Sequence, residues 1–194
     1  MENKLDNKTV FAIVTGTVLL IITNVFMWNM PFIQNDWAIR ICAVVLTFLA
    51  AIFGTLTGVL IPIAACVFTG VVLSHPEAIM EMFILLVTGL ATGHYAAKLG
   101  IMHGRFTKWH MLDFAILEIG VAIAAWLCVY PLLSLYAYGQ DLRLTIDRGL
   151  LECFISVAAK LVICLPFLII ANHFFRKKQM VEDAKREYLY HAGK

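Results

Sequence analysis

The chain has 194 residues, of which 61% are hydrophobic and 14% charged, with a mean hydropathy of +0.85 and a formal net charge of +2. An ordinary soluble domain carries about 25% charged residues and a polar face on each element, so the composition excludes a soluble globule and describes an all-α integral membrane protein. One domain, 1–194, is expected. The basic residues sit at the ends of apolar segments, so the small positive excess does not point to nucleic acid.

Residues 1–8 form a short polar head, and the first span is expected at about 9–28. Its apolar stretch exceeds the roughly 7–15 residues of a signal peptide and leads into Asn29-Met30-Pro31 rather than a small-x-small cleavage site. It reads as a retained helix. Pro31 breaks it, and Trp28 and Trp37 flank the 30–36 loop as interfacial anchors. After Arg40 there is no charged residue until beyond Leu73. As one helix, 40–73 would be about 50 Å long against a hydrocarbon core of roughly 30 Å. It must fold back, and Gly54-Thr55-Leu56-Thr57-Gly58 is where the sequence allows the bend. This gives spans at about 37–53 and 54–73, the latter containing Pro62.

Ser74-His75-Pro76-Glu77 reads as a tight turn, with Pro76 suited to a helix start. The fourth span is expected at about 78–99, followed by a polar loop at 101–109 with Arg105 and Lys108. The fifth, at about 111–135, holds Pro131. An aromatic and charged loop at 136–147 precedes a sixth span at about 148–175. The basic tail, 176–194, reads as a solvated or surface-lying helix end. The expected fold is a six-transmembrane-helix bundle.

Loop charge sets its orientation. With the N-terminus inside, Lys4, Lys8, Lys98, Arg105, Lys108 and the basic residues of the tail are cytoplasmic. Arg40, Arg143 and Arg148 lie near the outer face. The positive-inside rule therefore favours both termini inside, which an even number of spans requires.

Ala12-x3-Gly16, Gly54-x3-Gly58 and Gly89-x3-Gly93 each leave a flat helix face where another backbone can approach. Internal packing is the plain reading of any one pair; contact of the first with a partner's helices is the sharper one. The five cysteines all lie in apolar segments and read as small buried hydrophobes. No metal site is expected: His75, His103 and His110 lack ligand spacing, and His94 reads as a packed interior or interface residue. There is no HExxH, GxSxG or phosphate-binding glycine loop with its lysine, and no cofactor is expected.

Ionisable residues inside spans are costly and are functional-site hypotheses by default. Here they are Arg40, Glu81, Glu118, Glu152 and Lys160. Arg148, Glu152, Ser156 and Lys160 recur every four residues and share one stripe of the sixth helix, where Glu152 can pair with Arg148. These charges are either ion pairs joining the sixth helix to Glu118 or Glu81, or a polar pocket opening outward. Trp126, Tyr130, Tyr136 and Tyr138, near the outer end of the fifth helix, suit the pocket, although an aromatic belt would look the same.

From Asn24 to Gly93 the chain resembles the substrate-binding (S) components of energy-coupling factor (ECF) vitamin transporters. The resemblance lies in the small-x3-small pair of the first helix, the first loop with Asn and aromatics, Arg40 opening the second helix, and the run AVVLTFLAAIFGTLTGVLIPIAACVFTG. Many relatives have an acidic residue after the third helix's last glycine, where this chain has Val71 and Val72. The resemblance implies a multi-pass subunit of a prokaryotic plasma membrane. It would bind a vitamin-like small molecule near the outer face and topple against a transmembrane coupling (T) subunit driven by two ATPase subunits. It implies that Ala12 and Gly16 meet the coupling subunit. It also implies that Asn29, Asn35, Trp37, Glu81, Trp126, Tyr130, Tyr138, Arg148 and Glu152 line the solute site, while Lys160 reads as a structural partner of Glu118. Two other classes remain: an accessory membrane subunit with purely structural charges, and a small membrane-embedded enzyme using Glu118, Glu152 and Lys160.

Overall fold

The computed structural model describes residues 6–28, 36–72, 74 and 78–192, apart from the side chains of 27–28, 36–38 and 184–192. Helices α1 (Asn7–Trp28), α2 (Asp36–Phe53), α3 (Thr55–Val72) and α4 (Ala78–Leu99) are followed by a 3-10 turn at Ile101–His103. Then come α5 (Lys108–Tyr138) and α6 (142–192), and no strand occurs among the described residues. Among the described residues five helical segments are long and apolar enough to cross a membrane, and Ile39–Phe53 is a shorter apolar one.

The hairpin in the long apolar run has almost no loop, as the expected spans at 37–53 and 54–73 require. α2 ends at Phe53, Gly54 alone turns the chain with φ +89°, and α3 begins at Thr55. A side chain at Gly54 would be strained in that left-handed backbone. Gly58 takes no part in the bend. Its Cα faces Gly89 of α4 so closely that a Cβ on either would overlap the other's carbonyl, and Gly93 abuts Gly54 and Thr55 in the same way. The two glycine pairs therefore interlock α3 with α4, and both serve internal packing.

Two boundaries differ from expectation. Residues 136–147 are mostly helical: α5 continues to Tyr138 and α6 starts at Leu142. Gly139 (φ +61°) ends α5, its N–H and that of Gln140 donating to the carbonyls of Leu135 and Ser134. Asp141 then caps α6, its carboxylate accepting from the Arg143 N–H at 2.9 Å. Polar residues there hid helix that projects past the apolar span. At its other end α6 runs unbroken through the basic tail to Ala192.

Both long helices contain a widened π turn, Ala124–Val129 in α5 and Lys160–Cys164 in α6. Each lies just before a proline, Pro131 and Pro166. A proline ring collides with the carbonyl four residues earlier and donates no hydrogen bond, and an extra residue in the turn relieves both problems. In each case the residue before the proline donates to the carbonyl five back: Tyr130 to Ala125, Leu165 to Lys160.

The interior divides by depth. One apolar cluster, around Leu46, Ile61, Leu85 and Trp126, fills the half of the bundle where α1 ends and α2 begins. A second, around Ile52, Leu99, Phe114 and Leu168, fills the half where α2 ends. Buried ionic groups link the helices within and between these halves.

Candidate functional site

Arg40, Glu81, Glu118, Glu152 and Lys160, the five ionisable residues singled out in the expected spans, are all buried. At the end where α2 begins, Arg40 reaches α6 and grips Glu152 with two parallel hydrogen bonds, Nε to Oε2 at 2.9 Å and Nη2 to Oε1 at 2.5 Å. This planar fork-to-carboxylate geometry is the strongest form of the pair. The stripe on α6 is real, since Glu152, Ser156 and Lys160 all face inward. Both Glu152 oxygens, however, are held by Arg40 rather than by Arg148, which is exposed.

Deeper, Glu118 of α5 bridges two helices. Its Oε1 accepts from Thr92 of α4 at 2.7 Å, and Lys160 Nζ lies 2.9 Å from its Oε2. The lysine contact is an ion pair by distance rather than an aligned hydrogen bond. Lys160 opens the widened turn of α6, so the proline-induced turn sets where the ammonium is delivered.

A third group lies at the first cluster, to which Cys42 and Cys66 belong. Cys42 donates its S–H to Asn24 Oδ1 at 3.1 Å. Glu81, in the first turn of α4, lies within electrostatic reach of Cys42 and Cys66. Asn24 is 1% exposed, and its side-chain nitrogen finds no acceptor among the described residues. A buried amide donor without an acceptor costs about 1–3 kcal/mol.

The expected solute residues fall into three sets. Glu81, Trp126, Tyr130 and Glu152 are buried at this end of the bundle. Trp126 and Tyr130 pack as a tilted pair, ring centroids 5.5 Å apart, and the Trp126 carbonyl faces Gly149 of α6 so closely that a Cβ there would overlap it. They belong to the core, whereas Tyr136 and Tyr138 are exposed, so the four aromatics do not form one cluster. Tyr138 and Arg148 lie on the surface at the α5–α6 corner. Asn29 and Asn35 lie outside the described residues, as does the side chain of Trp37 and the whole of His75-Pro76-Glu77. Asn24 was not singled out from the sequence; an amide within an apolar helix was the available signal.

Three further expectations meet a different placement. Ala12 and Gly16 are buried within this chain, a Cβ at Gly16 overlapping Ile61 of α3 and Leu49 of α2. The outward face of α1 presents Phe11, Val14, Val18 and Ile22 instead. His94 is exposed on this chain, not packed in its interior. Cys42, Cys66 and Cys164 are buried and Cys153 half-buried, but Cys128 points outward.

Among the described residues no group of three or more His, Cys, Asp and Glu side chains is placed to hold a metal. No protein-family model, curated protein or solved structure matches this chain.

Proposed function

We propose that this chain is the solute-binding membrane subunit of an importer of the ECF type, a six-span bundle with both termini in the cytoplasm. It would bind a small, polar, vitamin-like molecule near the outer face. Transport then depends on partners, a T subunit and two ATPase subunits, because the chain carries no phosphate-binding loop of its own.

The observation that carries this reading is Asn24. Its amide donor is buried without an acceptor among the described residues, close to the Cys42–Cys66–Glu81 group and at the end the loop charges assign to the outside. A carbonyl or ring nitrogen on a bound solute would supply what the amide lacks. Arg40, Glu152, Trp126 and Tyr130 are buried at the same end of the bundle. Coupling-subunit contact through α1 would use its outward apolar face, since Ala12 and Gly16 are covered by α2 and α3.

The test is to purify the full chain in detergent, identify co-purifying small molecules by mass spectrometry and titrate a vitamin panel by thermal shift. One tight ligand, weakened at least about tenfold by Asn24→Leu with the fold retained, supports the reading; tenfold corresponds to about 1.4 kcal/mol. A folded protein that neither carries nor responds to any panel member moves the assignment to an accessory subunit. The engagement of Glu118 by a Thr92 hydrogen bond and a Lys160 ion pair favours that second reading.

A further inference from the structure

At the opposite end of the bundle lies a cleft of about 590 Å³ that the solute site does not use. It opens between the start of α1, the end of α2, the Ile101–His103 turn and α6. Phe11, Phe53 and Phe175 supply its apolar lining, Lys8 and Lys178 two ammonium groups, and Glu182 a carboxylate.

Its walls are fixed by contacts that leave the cleft open. Asn172 of α6 accepts from the Phe106 N–H at 3.0 Å and donates to the Phe106 carbonyl at 3.4 Å, and Gln179 donates to the Met102 carbonyl at 3.4 Å. Gly104 lies against the Arg176 backbone, with no room for a Cβ. The tail of α6 is thereby pinned to the turn, and Lys178 is carried to the cleft on a held helix. Arg105, Lys108 and Lys177 are exposed at the same end, so the local potential favours anions.

We propose that this cleft binds an anionic phospholipid with a hydroxylated headgroup, of the phosphatidylglycerol kind. The phosphodiester sits between the Lys8 and Lys178 ammonium groups, a headgroup hydroxyl donates to Glu182, and an acyl chain lies along Phe11, Phe53 and Phe175. Three features select this occupant. An aromatic wall beside paired cations at the end of a membrane bundle matches an amphiphile of opposite charge. Soluble phosphate would leave the aromatic wall uncovered. Phosphatidylcholine would set a quaternary ammonium against two lysines and offer Glu182 no hydrogen-bond donor.

The experiment compares thermal midpoints of the full chain in detergent micelles doped with phosphatidylglycerol or with phosphatidylcholine, alongside native mass spectrometry of retained lipid. Phosphatidylglycerol is expected to raise the midpoint by at least about 3 °C over phosphatidylcholine, with one lipid retained. The effect should vanish in K8Q/K178Q and persist in K108Q/K177Q, which removes equal charge from the same end. Equal midpoints in the two lipids would overturn the proposal. So would equal losses in both double variants, which would mean diffuse surface charge, or a matching shift from glycerol 3-phosphate alone, which would mean a soluble phosphate site. All four lysines are exposed, so these variants leave the fold intact.

Discussion

Arg40 and Glu152 stand 112 residues apart in sequence, yet both oxygens of the carboxylate are hydrogen-bonded to the one guanidinium. The pair fastens α2 to α6. Side-chain exposures of 9% and 3% leave little water to compensate a lone partner. Arg40→Met should therefore destabilise by about 3–5 kcal/mol, because an unpaired carboxylate remains buried. The double variant R40M/E152L should recover most of that loss. Unfolding midpoints in micelles check this: a double variant no better than the single one would show that the pair does more than neutralise itself.

The Gly58–Gly89 crossing makes a sharper steric prediction. Alanine at either position drives a methyl into the facing carbonyl, and α3 and α4 must separate at a cost of about 1–3 kcal/mol. Gly120, also helical, has nothing within 4 Å of a new Cβ. Gly120→Ala should leave stability unchanged or raise it by up to about 1 kcal/mol through helix propensity. Equal effects at Gly58 and Gly120, measured as midpoints, would contradict the interlocked crossing.

Around Glu118 the expected order follows from charge. Lys160→Met strands a buried carboxylate, whereas Thr92→Val removes a neutral donor and leaves the ion pair. The lysine change should cost about 3–5 kcal/mol and the threonine change about 1–2 kcal/mol. Thermal unfolding of the two variants beside wild type decides it, and a reversed order would mean that Thr92 is the principal partner.

Thiol chemistry reports the packing of the spans. N-ethylmaleimide in detergent should reach Cys128, whose outward face only detergent covers, before Cys42, Cys66 and Cys164, which are packed inside the bundle and should react only after denaturation. Mass spectrometry of a labelling time course counts the adducts. Early modification of Cys42 would mean that the end of the bundle holding Asn24 opens readily.

Much of this architecture was legible without coordinates. Apolar run lengths located every long helix, and the impossibility of spanning a bilayer with 40–73 as one helix required a hairpin near Gly54. The intramembrane charges announced themselves by their cost in hydrocarbon. The ends of α5 and α6 were missed because span length was read from apolar residues, and helix that extends beyond the bilayer needs none. Pro131 marked a widened turn in principle, as Pro166 did, but a proline alone does not say whether a helix kinks, ends or widens.

By itself, the sequence determined an all-helical chain for an apolar environment, with charge at the helix ends and costly ionic groups within the helices. Those follow from composition, periodicity and the length of an apolar run, all local properties. Tertiary structure alone decided that Arg40 rather than Arg148 holds Glu152, that two glycine pairs serve one crossing, that Trp126 and Tyr130 are core, and that the buried Asn24 amide finds no acceptor among the described residues. Each of these depends on which helix faces which and at what rotation. Hydrophobicity in a membrane bundle leaves that open, and close packing and hydrogen bonding across helices settle it.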